Sequence, residues 1–376
     1  MTRTAQHEAE HKVLLMAMEL SGTTWKLGFG DGGPKQREKN VPAGAIDVLM
    51  TAIEWAKQRF KLPSDVEVHS CYEAGRDGFW LHRELVKRGV HNRVIDPASV
   101  EVNRRARRRK TDRIDVGLLL RQLTLDWRGE GSWSVVRVPS EQEEDARRPH
   151  RELRRLKKER QGHASRIQAL LALHGVQLKV GKKLPTELAH VRRNDGSELP
   201  PSLREELLRE AERLAVVDKQ LAAVEKEQLR QSLSRGDVVG AKLEALLRLR
   251  GIGQVGATVL VYELFGWRVF SNPRQLGSLV GLAPTPFQSG GMSREQGISK
   301  SGLGPVRALL VELAWQWLRH QPGSDISRWF KKKFAHGNGR QRRIGIVALA
   351  RRLLVALWRY VEQEQLPKGA LLKPGC

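Results

Sequence analysis

The stretch Arg104-Arg105-Ala106-Arg107-Arg108-Arg109-Lys110-Thr111-Asp112-Arg113-Ile114-Asp115 joins a run of six cations to two carboxylates three residues apart. On a helix this spacing puts both acids on one face, within reach of a common ion. The cations can hold a polyanion, and the paired acids can hold a divalent metal that activates water or a hydroxyl against phosphorus. The alternative is a surface helix whose acids cap its first turn. The neighbouring segments decide between the two.

The composition favours a polyanionic partner. Lys and Arg total 66 against 42 Asp and Glu in 376 residues, a formal net charge of +24. Such an excess suits nucleic acid or an anionic membrane surface. No apolar run reaches the roughly 18 residues of a spanning helix, and the polar N-terminus has no signal core, so we expect a cytoplasmic protein. Cys71 and Cys376 are too few for a disulfide framework or a zinc ribbon. His7 and His11 have an i, i+4 spacing that we assign to a disordered end rather than to a metal site.

Apolar periodicity predicts a mixed α/β domain over residues 13–133, after a tail at residues 1–12. Two short apolar runs at residues 13–19 and 24–29 flank a Ser21-Gly22 turn signal and predict a hairpin. The further predicted elements are a strand around Val41, strands at 66–71 and 93–95, and helices at 43–60, 78–88 and 112–123. The order is therefore β-β-β-α-β-α-β-α.

Four carboxylates occupy informative positions in that order. Glu19 and Glu73 each end a predicted strand, and ligands of open α/β sheets collect at the carboxyl ends of strands. Asp112 and Asp115 come from a later helix that can pack beside those strands. Four carboxylates can then converge on one or two metal ions. This arrangement predicts a ribonuclease-H-like fold with a metal-dependent nuclease centre.

Three segments carry a family resemblance: Tyr72-Glu73-Ala74-Gly75, Asp96-Pro97 and Arg109-Lys110-Thr111-Asp112-Arg113-Ile114-Asp115. They resemble the RuvC-like domain of insertion-sequence 110 family transposases, of the 1111-type subgroup, whose acids form a D-E-D-D set. The resemblance implies that Glu19, Glu73, Asp112 and Asp115 are catalytic ligands of Mg²⁺ or Mn²⁺. The family usually has Asp where this chain has Glu19, and Asp31 is the alternative for that position.

The middle of the chain, residues 140–240, is predicted to be a helical hairpin or coiled coil. Residues 134–261 contain no Phe, Tyr or Trp, so we do not expect a compact globular core there. A 4-3 apolar alternation, broken only by Glu210, is typical of a coiled-coil seam; it comprises Leu203, Leu207, Leu214, Val217, Leu221 and Val224. The hairpin pairs with a second subunit, braces nucleic acid, or is a solvated spacer.

The C-terminal domain is predicted at residues 241–362, mostly helical, with a disordered tail at 363–376. Gly251-Ile252-Gly253 lies between two predicted helices and is similar to a helix-hairpin-helix, whose backbone N–H groups can hold a phosphate. The predicted loop at 285–304 contains glycine-flanked serines, with Arg294 and Lys300 nearby to stabilise charge on phosphorus.

A second resemblance involves this loop. Gly281-Leu282-Ala283-Pro284, Gln288-Ser289-Gly290 and Ile298-Ser299-Lys300 look like the C-terminal transposase domain of the same family, although Leu303 stands where the family often has Asn. The resemblance implies that Ser289 becomes covalently joined to DNA. Ser293, Ser299 and Ser301 are the alternatives for this role.

The function implied by the resemblance is a DNA recombinase that moves its own insertion sequence. A non-coding guide RNA would pair with DNA, and the protein would act as a dimer or tetramer, with no membrane partner. The resemblance also implies a bacterial or archaeal protein that is associated with the nucleoid. The nucleic-acid-binding candidates are Arg104, Arg105, Arg107, Arg108, Arg109, Lys110, Gly251, Gly253, Arg294, Lys300, Lys331, Lys332 and Lys333. Two alternatives stay open: a metal-dependent junction resolvase that uses water, and a non-catalytic nucleic-acid-binding protein.

Overall fold

The computed structural model describes residues 12–100, 112–131, 133–181, 184–233, 236–289 and 292–374. The cation run at 104–110 lies outside these ranges, and so do the side chains of Asp112, Ser289, Ser293 and Arg294. The chain divides into two compact units, one up to Pro139 and one from Ser140.

The first unit is built on one mixed sheet. Its strands are β1 Val13–Leu20, β2 Thr24–Gly30, β3 Gln36–Pro42, β4 Glu67–Glu73 and β5 His91–Ile95. The spatial order is β3-β2-β1-β4-β5, with β1, β2 and β3 antiparallel and β1, β4 and β5 parallel. The antiparallel hairpin joined to parallel strands is compatible with the predicted ribonuclease-H-like fold.

Helices cover both faces of this sheet. Helices α1 (Ile46–Phe60) and α2 (Trp80–Lys87) pack on one face, and α3 (Asp112–Trp127) packs on the other. Strand β1 is central, so its side chains are buried on both faces, which explains its nearly continuous apolar sequence. Alternate residues of β1 face α3, among them Leu15 and Ala17.

The direction of α3 follows from two glycines beneath it. A Cβ added at Gly28 would contact Val116, and one added at Gly30 would contact Leu120. Gly28 pairs with Ala17 and Gly30 with Leu15, so α3 runs antiparallel to β1. The first turn of α3 therefore lies toward the carboxyl end of β1.

The second unit is mainly helical. Its helices are α4 Glu141–Asp145, α5 Arg148–Ala172, α6 Leu184–His190, α7 Pro201–Leu233, α8 Val238–Arg248, α9 Gln254–Leu260, α10 Pro273–Leu279, α11 Gly304–His320, α12 Asp325–Phe334 and α13 Gly339–Gln363. A π-helical segment, Val261–Phe265, continues α9. The main core of the unit surrounds Trp317 and Phe265, both fully buried.

Helices α5 and α7 pack against each other as the predicted hairpin. Contrary to the expectation for an aromatic-free segment, they build a small core with α6, in which Ile167, Leu171, Leu207 and Leu214 are buried. Aliphatic side chains fill this core without any aromatic residue, and the small side chain of Ala211 is buried among them. The assignment as a coiled coil stays a prediction.

Two sequence expectations in the second unit are wrong. The predicted loop at 285–304 contains a hairpin of strands β6 (Pro284–Ser289) and β7 (Met292–Ile298). The predicted disordered tail is ordered as far as residue 374. Gln321 holds this tail through Nε2, which donates to Leu371 O at 2.8 Å, and Oε1, which accepts from Leu371 N at 2.7 Å. The tail takes part in these bonds through its backbone, so its side-chain composition gives no sign of them.

None of the helices in the described ranges is both long and apolar enough to cross a membrane.

Candidate functional site

The register of β1 and β4 brings two of the predicted acids side by side. Met18 pairs with Tyr72 in this parallel ladder, so the next residues, Glu19 and Glu73, are cross-strand neighbours at the carboxyl ends of both strands. Ala17 and Cys71, two residues earlier, pack in the cluster beneath α3. Because side chains alternate along a strand, both glutamates lie on the α3 face.

Helix α3 brings the other two acids to the same end of the sheet. Asp112 is its first residue, and Asp115 is half-buried immediately before Val116, which packs over Gly28. Since α3 runs antiparallel to β1, its first turn points toward Glu19 and Glu73 rather than toward the start of the strands. The backbone therefore places all four predicted acids at one end of one face.

The carboxylate oxygens of the described acids are not all close enough together to hold one ion as they stand. Among the described side chains, Glu19, Glu73 and Asp115 are not a set whose ligand atoms all lie within 4.8 Å of one another. A group that does satisfy this distance is Glu67, His69 and His91, which is compatible with a divalent metal. Sequence reasoning missed this group, although the Glu-x-His spacing in a predicted strand was visible.

Asp31 is a poor substitute for Glu19. It follows Gly30, which pairs with Leu15, so it lies toward the opposite end of β1 from Glu19. Its Oδ1 accepts from Gly33 N at 3.0 Å, which closes a turn after β2. This residue has a structural role in the chain reversal.

The neighbours of Glu73 on β4 are neutral packing groups. Burial raises the pKa of the Cys71 thiol, and the charge of Glu73 raises it further. Burial also raises the pKa of Tyr72 to about 12, and its hydroxyl donates to Gly78 O at 3.0 Å. Neither side chain supplies a nucleophile near neutral pH, and Tyr72 anchors the segment that leaves the strand after Glu73.

The candidate nucleophile Ser289 is the last residue of β6 and pairs with Met292 at the start of β7. Two competing serines lie on the other side of the hairpin. Ser299 and Ser301 are exposed, and the Ser301 hydroxyl donates to Ser299 Oγ at 3.1 Å. Lys300 lies between them, exposed, with a left-handed φ of 58°.

The base of this hairpin is held by two glycines, Gly281 and Gly302. Their φ values are +68° and +71°, and a Cβ on Gly281 would collide with Ser301 O, just as one on Gly302 would collide with Leu279 O. Arg307 Nη1 donates to Val280 O and to Ser301 O, each at 3.0 Å. Gly281, Gly302 and Arg307 therefore fix the base of the hairpin between α10 and α11.

The predicted phosphate-binding turn is present between α8 and α9. Gly251 has a φ of +84°, and Gly253 directly precedes α9. Lys373 Nζ donates to Ile252 O at 3.0 Å, which brings a cation from the C-terminal segment to the turn. Sequence reasoning missed Lys373 because it was assigned to a disordered tail. On α12, Lys331, Lys332 and Lys333 are all exposed.

The comparisons with known proteins agree with the C-terminal resemblance. Residues 243–328 match the family described as Transposase IS116/IS110/IS902 family. The chain is 39% identical over 378 residues to a putative transposase, y4rJ, of Sinorhizobium fredii (strain NBRC 101917 / NGR234), an alignment that covers 96% of this chain and 94% of the relative.

Two further relatives are transposases of named insertion sequences. One is the transposase for IS1328 of Yersinia enterocolitica, 29% identical over 51% of this chain and 57% of the relative. The other is the transposase for IS1111A of Coxiella burnetii (strain RSA 493 / Nine Mile phase I), 23% identical over 76% of this chain and 75% of the relative. These matches define the class, a DNA transposase of an insertion sequence. The chain belongs to the IS116/IS110/IS902 transposase family.

Proposed function

We propose that this transposase cuts and rejoins DNA through a metal-assisted serine intermediate, guided by a non-coding RNA of its own element. One structural observation carries the proposal. The β1–β4 register sets Glu19 beside Glu73, and the direction of α3 brings Asp112 and Asp115 to the same end of the sheet.

The donor chemistry of this site fits a hard divalent cation. All four candidate ligands are carboxylates, and Mg²⁺ and Mn²⁺ prefer oxygen ligands. Glu19, Glu73, Asp112 and Asp115 would hold the ion, with the extra methylene of Glu19 extending its reach from the strand end. Such an ion, when bound, neutralises phosphate charge and lowers the pKa of a hydroxyl group.

Different residues of the chain would carry out different parts of the reaction. Ser289 Oγ would lose its proton and form a bond to the phosphorus, while the leaving oxygen of the DNA takes a proton as its bond to phosphorus breaks. Rejoining would be the reverse transfer to a different DNA hydroxyl. The phosphodiester energy would stay in the serine–DNA bond, so the reaction needs no nucleoside triphosphate. Arg294 and Lys300 would stabilise the charge on phosphorus.

The cations would bind the DNA and the guide RNA. We assign this role to the arginine run at 104–110, to the Gly251–Gly253 turn and to the lysines of α12, because each presents positive charge or backbone N–H groups to phosphates. The acids and Ser289 belong to different units, and we propose that a dimer or tetramer completes the site.

A search for a covalent protein–DNA adduct tests the proposal. The full chain would be expressed with the flanking DNA of its element, so that any guide RNA is present, and the products separated on a denaturing gel. We expect an adduct with the wild type and none with Ser289→Ala or Asp115→Asn. The matched controls are Ser301→Ala, an exposed serine after β7, and Asp47→Asn, an acid on the surface of α1.

The same gel distinguishes the alternatives. Cut DNA without an adduct, unaffected by Ser289→Ala but lost in Asp115→Asn, would mean a nuclease that uses water. An adduct lost in Ser301→Ala instead would move the nucleophile to that residue. DNA binding without any cutting in the wild type would favour a non-catalytic role.

A further inference from the structure

A group of metal-ligating side chains lies at the amino ends of β4 and β5. His69 and His91 are direct partners in the parallel ladder, with ring centroids 4.9 Å apart and ring planes at 30°. Glu67, two residues before His69, places Oε2 at 3.2 Å from His69 Nε2. One ligand atom from each of the three residues lies within 4.8 Å of the others.

The positions of these residues separate the group from the predicted catalytic acids. Glu67, His69 and Glu73 are on the same face of β4 because their numbers differ by even steps. Glu67 and Glu73 nevertheless stand at opposite ends of the strand, and six residues of strand span about 20 Å. One ion cannot be shared across that distance, so the two groups are independent sites.

The donor set also differs. Two imidazole nitrogens and one carboxylate are the ligands of Zn²⁺ and similar borderline-soft ions, whereas Mg²⁺ takes oxygen ligands. We propose that Glu67, His69 and His91 bind a divalent transition-metal ion of the Zn²⁺ class, with a fourth position open to water. The side chain of Glu67 is 71% exposed and that of His69 is 20% exposed, so the ion could enter from solvent.

Two features of the fold favour binding. The ladder fixes the separation of the two histidines before any metal arrives, so little chain entropy is lost on coordination. Arg93, two residues after His91 on β5, is ion-paired with Asp126, which offsets its repulsion of a metal. The bound ion would tie β4 to the edge strand β5 at the end remote from Glu73. This proposal does not depend on the serine chemistry.

Zinc binding by the full-length protein tests the proposal. The chelator-treated protein would be equilibrated with ZnCl₂ in excess Mg²⁺, and the bound zinc measured by atomic emission together with the melting temperature. We expect one zinc per chain that Mg²⁺ does not displace, and a higher melting temperature with zinc. The double variant His69→Gln/His91→Gln should lose the bound zinc, and Glu67→Gln should weaken binding about tenfold or more.

Two controls exclude other sources of the signal. His7→Gln/His11→Gln removes the other closely spaced histidine pair of the sequence, and Glu73→Gln removes an acid of the predicted catalytic site; both should bind zinc as the wild type does. The proposal is wrong if the wild type binds no zinc, if the double variant at His69 and His91 still binds it, or if either control abolishes binding. Glu67→Gln, a change at an exposed side chain, keeps the test valid should the double variant fail to fold.

Discussion

At the scale of single residues, a buried carboxylate holds the start of α5 to the π-helical segment. Glu263 accepts from Arg151 Nε at 2.6 Å and Nη2 at 2.8 Å, and from His150 Nε2 at 2.8 Å. Burial alone would raise the pKa of Glu263, but the hydrogen bonds from His150 and Arg151 reverse this and lower it to about 2. The side chain is 7% exposed. A charge in such a place stabilises the fold only while its partners remain.

Glu227 on α7 provides a contrast. Hydrogen bonds from Arg230 and Gln231 also lower its pKa to about 2, but this carboxylate lies at the surface. Solvent screens a surface ion pair, so the ion pair of Glu227 adds little to stability although its pKa is lowered as far as that of Glu263. Burial, rather than the pKa, decides which of the two glutamates contributes to the free energy of unfolding.

This contrast gives the first prediction. Glu263→Gln should lower the free energy of unfolding by about 3 kcal/mol at pH 7, because it removes the buried carboxylate that pairs with Arg151 and accepts from the buried His150. Glu227→Gln should cause no measurable change. Urea unfolding followed by tryptophan fluorescence measures both, and equal midpoints for the two variants would contradict the prediction.

The pH dependence has a defined sign. A carboxyl group whose folded pKa is lowered from 4.5 to about 2 contributes stability that is complete above about pH 4.5 and is lost as the pH falls toward 2. Between pH 5 and pH 3 the wild type should therefore lose more stability than Glu263→Gln.

At the scale of elements, the packing of α3 on β2 sets how far Asp112 and Asp115 lie from the sheet that carries Glu19 and Glu73. A Cβ at Gly28 would lie 3.4 Å from Val116 Cγ2, whereas a Cβ at Gly117, on α3 itself, would have no heavy atom within 4 Å. A single Cβ at Gly28 would therefore just fill the space against Val116, so the two further methyl groups of a valine would overpack it, whereas Gly117 has open space. The two glycines form a matched pair for mutation.

The second prediction uses this pair. Gly28→Val should destabilise the first unit by about 1–3 kcal/mol through overpacking, and should reduce DNA cutting because α3 is pushed away from Glu19 and Glu73. Gly117→Ala should stabilise it by about 0.5–1 kcal/mol through helix propensity and leave cutting unchanged. Melting curves and the cutting assay check both. Unchanged cutting in a folded Gly28→Val protein would argue against a site assembled by α3.

The pairing of α5 with α7 explains the one break in the apolar stripe. Glu210 is 2% exposed and accepts from His163 Nδ1 at 2.6 Å and Arg166 Nη1 at 2.8 Å, both on α5. Burial alone would raise the pKa of Glu210, but these partners lower it to about 2. A polar pair at a seam position favours one register of two helices over others, because any slip leaves the charge unpaired.

At the scale of the whole molecule, the net charge of +24 implies binding that depends strongly on salt. Lys331, Lys332 and Lys333 are exposed in the last turns of α12, beside an Arg352 guanidinium that stacks 3.9 Å from the Trp329 ring centroid. The exposed lysines suit a phosphate backbone. Because phosphate contacts carry no sequence information, they should affect all DNA equally.

The third prediction follows from this charge. Changing all three lysines to Gln should weaken binding to unrelated DNA sequences alike, and should reduce the slope of log K against log salt by up to about 3. The control Arg204→Gln/Lys219→Gln/Lys226→Gln alters the charge equally at exposed positions of α7. Fluorescence anisotropy at several salt concentrations measures both slopes, and equal losses would mean that net charge, not this surface, governs binding.

Much of the local organisation was determined by the sequence itself. The β-β-β-α-β-α-β-α order follows from alternating apolar residues and turn signals, which depend on near neighbours. Family membership was evident from short motifs around Glu73, Asp115 and Ser289, and the comparisons confirmed it. The Gly290-Gly291 pair before β7 is a hairpin signal, but the many Gly and Ser residues of this segment are equally typical of a loop, and a loop was predicted.

The tertiary structure alone decided which of these residues meet. Only the β1–β4 register sets Glu19 next to Glu73, only the glycines of β2 show which way α3 runs, and only the β4–β5 ladder joins His69 to His91. Gln321 and Lys373 likewise bind partners about 50 and 120 residues away. Register and packing are set by contacts between distant parts of the chain, whereas a sequence pattern reports the conformation of adjacent residues. For this reason the sequence could indicate Glu19, Glu73, Asp112 and Asp115 as candidate ligands, but the grouping of His91 with Glu67 and His69 follows only from the β4–β5 ladder.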